Sequence, residues 1–179
     1  AEADLVWFGG IGTYVKARAE SNSEVGDRAN DAHRVNAEDM RARVIGEGAN
    51  LGVTQAARIA FALKGGRINT DFVDNSAGVD CSDNEVNIKI ALNAQVAAGK
   101  LKMPARNDLL ARMTDDVAHL VLEDNRLQTL ALSIAERGGA DALPSHIRLI
   151  EGFEAAGKLD RAVEGIAAND ELARRAADG

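Results

Sequence analysis

The stretch "VIGEGANLGVTQAARIAFALKGGRINT", residues Val44–Thr70, decides the fold. Val44–Ile45 opens it as a short apolar strand stopped by glycine, and Arg67–Thr70 closes it as another. Between them Thr54 is placed to cap a helix. Ala56, Ile59, Ala60 and Leu63 fall at i, i+3, i+4 and i+7 of that helix, and Gly65 and Gly66 supply a left-handed exit. Strand, helix, strand in this order predicts parallel pairing through a right-handed crossover. Upstream, Leu5–Phe8 is a further apolar run of strand length.

From Ser82 onward the pattern turns helical. Ser82 and Glu85 spell a capping box, which predicts a helix from Ser82 to about Ala98. Pro104 suits a first helical turn, and Leu109, Leu110, Met113, Val117, Leu120 and Val121 trace one apolar stripe. Leu127, Leu130, Ala131 and Ile134 trace another, closed by "RGG" at Arg137–Gly139. Ile147, Ile150 and Phe153, then Leu159, Ala162, Val163 and Ile166, extend the helical pattern. The expected fold class is α/β, a partial Rossmann-like parallel sheet over residues 1–82 followed by an all-α helical region over residues 83–179.

Composition narrows the function. The chain has 179 residues, 46% hydrophobic and 27% charged, which suits one sizeable domain or two small ones. No apolar run approaches the roughly 20 residues of a membrane span, and no basic signal segment opens the chain, so a cytoplasmic protein without a membrane partner is expected. The single cysteine, Cys81, cannot form an internal disulfide and fits a reducing compartment. A net charge of -7 argues against nucleic acid as a partner. His33, His119 and His146 lack the spacing of a metal site or a catalytic pair, so no metal is expected.

The run "WFGGIGTYV", Trp7–Val15, invites a phosphate-binding reading. Gly10 and Gly12 fit the first two places of G-x-G-x-x-G, but Val15 stands in the third, and the polar residues that follow do not make a core-packing helix. A stand-alone nucleotide-binding protein using "GGIG" is therefore a minor reading. The long polar segment Lys16–Asn36 reads as a lid or arm.

Two loops follow strands and precede helices: "GEGANLGVTQ", Gly46–Gln55, and "DNSAGVDCSDNE", Asp74–Glu85. Ligands of open α/β sheets bind at that edge. Asn50 and Asn75 offer amide donors and acceptors suited to a carboxamide or a sugar hydroxyl. Ser82 at a helix N-terminus would suit a carboxylate. Each has a plainer explanation: a turn at Asn50, a left-handed residue at Asn75, a simple N-cap at Ser82. Glu47 fits either a buried ion pair or a solvated loop.

At these loops the chain resembles the glutamate dehydrogenase family, in particular its very long NAD-specific bacterial subgroup. "EGAN" at Glu47–Asn50 and "NSAGVDCS" at Asn75–Ser82 carry the resemblance, with "WFGGIGTYVKA", "VGDRANDA", "GRINTD" and "SDNEVNIKI" in support, over roughly residues 1–135. The resemblance implies that residues 1–82 are the C-terminal part of an NAD-binding domain. It implies Asn50 and Asn75 beside the nicotinamide and ribose of NAD, Gly10 and Gly12 admitting backbone close to the cofactor, Ser82 on the side-chain carboxylate of glutamate or 2-oxoglutarate, and Val79 on the substrate's methylenes. Shorter relatives continue "EGAN" with G-P-T-T where this chain has Leu51–Thr54, carry glycine at Ala77, and place an aromatic at Asp83. No counterpart of the family's catalytic lysine and aspartate, or of its pyrophosphate turn, is present. The chain is thus expected to be an inactive fragment of an enzyme that oxidatively deaminates glutamate, completed by the remaining domains of the same parent chain in a homo-oligomer. The alternative is a helical interaction or regulatory module without catalysis.

Overall fold

Strand β1, Ala3–Phe8, alternates its side chains across the sheet plane. It pairs in parallel with β4, Ala42–Glu47, so that Val6 lies beside Ile45 and Phe8 beside Glu47. On its other side β4 pairs in parallel with β5, Arg67–Ile68, giving a three-stranded sheet in the order β1-β4-β5. The computed structural model describes residues 2–178, which separate into two units, one ending at Arg126 and the other beginning at Leu127. Residues 82 and 83, where the sequence changes character, both lie inside a single helix.

Helix α2, Gln55–Leu63, makes the parallel crossover between β4 and β5. Thr54 caps it as the sequence predicts, its hydroxyl accepting from the Ala57 N–H at 3.1 Å, and Gly65 leaves it at a φ of 91°. The buried face differs from the expected stripe. Ala57, Arg58 and Phe61 are buried, whereas Ile59 is 50% and Leu63 81% exposed. Phe61 joins Ile45, Val15, Val53, Ala37 and Ala57 in the core. The Phe61 ring buries more apolar area than Ile59 or Leu63, two positions away on either side, and Arg58 has a buried acidic partner on β4, so the helix turns that way.

The segment read as a lid or arm is folded down. It holds β2, Val15–Lys16, helix α1, Asn22–Val25, a 3-10 turn at Arg28–Asn30, and β3, Val35–Asn36, and the two strands pair in parallel. A true capping box opens α1, with Ser21 and Glu24 bonded reciprocally. Val15 also bridges Val53, which joins this small sheet to the loop after β4.

Beyond β5, the short α3, Asp71–Asp74, leads through Asn75 into α4, Ser76–Ala97. The predicted start at Ser82 is therefore corrected by two turns. Glu85 pairs with Lys89 one turn on, so it does not reach back to Ser82, and the one poor helix former between Ser76 and Ser82, Gly78, costs only about 1 kcal/mol relative to alanine and does not stop the helix. Helix α5, Met103–Arg137, carries both apolar stripes and ends at the "RGG" stop. Within the first unit Ser76 Oγ donates to Asn125 Oδ1 at 2.5 Å, tying α4 to α5, and Val121 of α5 is buried.

The second unit holds a 3-10 turn at Ala140–Ala142, α6, Leu143–Ala155, α7, Arg161–Glu164, and α8, Asn169–Asp178. The Leu159 to Ile166 stripe does not make a long helix: Asp160 caps α7 and Gly165, at a φ of 64°, ends it one turn later. Arg161 pairs with Glu154 at 2.9 Å, and Asn169 donates to Glu151 at 2.7 Å. No helix among the described residues is long and apolar enough to cross a membrane.

Candidate functional site

The loops that leave the carboxyl ends of β1, β4 and β5 meet. Glu47, the last residue of β4, is 0% exposed and lies beside Phe8. Its Oε1 accepts from Arg58 Nε at 2.9 Å and its Oε2 from the Val53 N–H at 3.1 Å. Of the two readings open for Glu47, the buried ion pair is the one adopted. Arg58 Nη2 reaches to 3.4 Å of Asp71 Oδ1, close enough for charge pairing though not aligned as a hydrogen bond. Asp74 accepts the Glu47 N–H at 3.0 Å and the Asn69 amide at 3.1 Å. Strand end, helix and following turn are thus bound by one set of charges.

The loop after Glu47 is strained. Asn50 and Leu51 have φ of 51° and 60°, left-handed backbone that costs a residue bearing a Cβ roughly 1–2 kcal/mol. Such geometry collects at functional sites, where surrounding contacts hold it in place. Asn75 Nδ2 donates to Asn50 Oδ1 at 2.6 Å, so the two asparagines singled out from the sequence touch. Asn75 itself has a φ of −97°, and the left-handed residue is Asn50. Their contact leaves the Asn50 amide as a donor and the Asn75 carbonyl as an acceptor, the pair a carboxamide ligand needs.

Ser82 stands elsewhere. It is exposed in the interior of α4, so the backbone N–H groups and dipole of a helix N-terminus do not act at its hydroxyl. Asn75, Val79 and Ser82 nevertheless follow one another at i, i+4 and i+7, on one face of the helix. At 1.5 Å per residue, Ser82 lies about 10 Å along that face from Asn75. Val79 is exposed between them.

Gly10 and Gly12 lie in the loop after β1. Gly12 has a φ of 143°, and a Cβ there would come within 2.6 Å of Asn30 Nδ2 and 2.8 Å of Tyr14 Oη. Its lack of a side chain thus has an internal cause. Gly10 is exposed and edges an open groove of about 480 Å³ that Trp7, Phe8, Tyr14 and Val35 also line. A larger cavity of about 660 Å³ lies at the opposite, amino end of β4 and β5, away from these loops.

The residues that hold this rim were not apparent from the sequence. Asp27 accepts from the Thr13 N–H at 2.9 Å, and that bond, then the Asn30 amide and the charge of Arg34, keeps its carboxyl below the usual range. The Arg34 side chain is wholly enclosed and donates to the Thr13 carbonyl at 2.9 Å, the Asp27 carbonyl at 2.6 Å and Asp31 at 2.5 Å. Asp71 and Asp74, three residues apart just after a strand in "NTDFVDN", were the available signal.

A parallel sheet with polar loops gathered at its strand ends defines an α/β protein of the ligand-at-the-rim class. Residues 1–135 match the family described as bacterial NAD-glutamate dehydrogenase, catalytic domain, and the chain belongs to that family. It is similar to the NAD-specific glutamate dehydrogenase of Pseudomonas aeruginosa, 54% identical over 179 residues, which are 100% of this chain and 11% of that protein. The enzymes of the same name from Mycobacterium tuberculosis, 52% identical over 179 residues, and Halomonas elongata, 51% over 175, cover 100% and 98% of this chain. The chain spans about 11% of the length of each of these relatives.

Proposed function

We infer that this chain supplies part of the cofactor and substrate pocket of an NAD-dependent glutamate dehydrogenase. The parent reaction takes glutamate, NAD+ and water to 2-oxoglutarate, ammonium, NADH and a proton. NAD, when bound, accepts the hydride from the α-carbon of glutamate. Asn50 and Asn75 orient its nicotinamide and ribose side, Ser82 donates to the distal carboxylate of glutamate, and Val79 packs on the methylenes between. Gly10 and Gly12 let the loop after β1 run close to the cofactor. The observation that carries this reading is the 2.6 Å contact of Asn50 with Asn75 at the strand ends. The shared helix face of Asn75, Val79 and Ser82 supports a pocket that runs from cofactor to substrate.

Residues 1–82 act here as the last part of a cofactor domain, and the rest of the parent polypeptide is the partner. Two features favour that occupant. Leu5 and Trp7 on the sheet face away from α2 are 55% and 58% exposed, and among the described residues β1 pairs on one side only. A bare apolar face and a free strand edge need covering, and about nine-tenths of the relatives' length lies outside the matched 11%.

Kinetics of the intact protein test the site. Ser82→Ala is expected to raise the KM for glutamate more than that for NAD, and Asn50→Ala to weaken NAD binding about tenfold, as for one lost hydrogen bond to a ligand. Equal effects of Ser82→Ala on both substrates refute its assignment. Turnover of glutamate by the 179-residue chain alone refutes the view that it is an incomplete site.

A further inference from the structure

Packing does not keep Leu51 in its left-handed conformation, because its side chain is 63% exposed. Its main chain is gripped instead. The Leu51 N–H donates to Asp71 Oδ2 at 2.8 Å, and the Leu51 carbonyl accepts from Thr13 Oγ1 at 2.8 Å. The two clamps come from different strand-end loops, and each is itself held. Asp71 faces Arg58, which also bonds buried Glu47 and Gln55. Thr13 is bonded on both sides of its peptide, to Asp27 and to Arg34. We propose that Asp71 and Thr13 are positioning residues that fix Leu51 from both sides and so present Asn50 to Asn75 and to the cofactor.

This inference rests on the reading that Asn50 and Asn75 face NAD. Its physical content is separate: a residue with a Cβ leaves φ near +60° when its restraints go, whereas glycine stays there without steric cost. Releasing Asp71 lets Leu51 relax and turns Asn50 away from Asn75. Putting glycine at position 51 removes the need for the restraint.

The test is NAD titration of the intact protein by calorimetry, with KM values for NAD and glutamate alongside. Asp71→Ala is expected to weaken NAD binding about tenfold and to change the KM for glutamate little. Asp71→Asn keeps an acceptor for the Leu51 N–H and is expected to recover most of the loss. Thr13→Val keeps the volume, removes the hydroxyl and is expected to weaken NAD binding in the same direction. Leu51→Gly placed in Asp71→Ala is expected to restore affinity. A purely structural Asp71 lowers the urea midpoint but leaves the NAD affinity of the folded protein unchanged, so the calorimetric Kd separates the two roles; stability alone does not, because glycine at position 51 both relieves strain and loosens the unfolded chain.

The outcomes separate the two ideas. If Asn50→Ala weakens NAD binding while Asp71→Ala does not, or Leu51→Gly fails to restore it, the clamp is wrong and the pocket stands. If Asp71→Ala weakens binding and Leu51→Gly restores it while Asn50→Ala has no effect, the clamp stands and the role of Asn50 falls. If neither Asn50→Ala nor Asp71→Ala alters NAD affinity, both are overturned.

Discussion

Arg58 joins three pieces of backbone that are distant in sequence. It bonds Glu47 at the end of β4, sits on α2, and faces Asp71 at the start of α3. Replacing it with methionine keeps much of the volume but leaves Glu47 charged, buried and without its partner, a loss of about 3–5 kcal/mol. Urea unfolding of Arg58→Met against the wild type measures it, and a change under 1 kcal/mol would mean that Glu47 finds water instead. Gly12→Ala is expected to displace Asn30 and Tyr14 and to loosen the loop after β1, which slower NAD association in the intact protein would report. The meeting of Asn50 and Asn75 was legible in the sequence, because both follow strands of one sheet. The ion pair under them was not, since Arg58 lies outside the apolar stripe that set the expected face of α2. The departure at Leu51 from the glycine of shorter relatives now has a location: it is a left-handed residue with both its peptide groups tied.

Periodicity located the elements better than their faces and starts. For α2 the alternatives can be told apart by stability. Phe61→Ala is expected to cost about 3–5 kcal/mol, and Leu63→Ala within about 0.5 kcal/mol, because one is core and the other is exposed. The reverse order would return the helix to the face its stripe predicts. For α4, the S-x-x-E signature at Ser82 misled because such a pair also occurs inside a helix, where a lysine one turn on can take the glutamate. The α4–α5 contact carries a pH dependence. Burial first, then the charge and hydrogen bond of Asp124 and the charge of Asp83, raise the Asp80 carboxyl above its ordinary range, with Asn84 opposing them. A raised folded-state pKa favours the protonated form, so this contribution is full below the ordinary aspartate range and fades as pH climbs through the raised value. Asp80→Asn is expected to raise the melting temperature at pH 7 and to flatten its dependence on pH, measured by thermal scans from pH 4 to pH 8.

At the scale of the molecule, the sheet is covered on one face and bare on the other. Leu5 and Trp7 project from the bare face, and Trp7 lies flat over Gly46, where a Cβ would strike the ring. The isolated chain is therefore expected to bind an apolar dye and to self-associate, and a Leu5→Glu substitution to reduce both. Light scattering that finds a monodisperse monomer with no dye binding would place the surface among those that need no cover. The parallel order of the strands could be read from the sequence because one crossover forces it. The second parallel pair, β2 with β3, could not, since two-residue strands leave no periodicity. A polar segment of that kind looks like a tether in the sequence. The enclosed guanidinium of Arg34 gives it a different fate: brief digestion with trypsin should spare the bond after Arg34, because the enzyme must first extract a charge from its cage before it can seat that side chain in its own pocket.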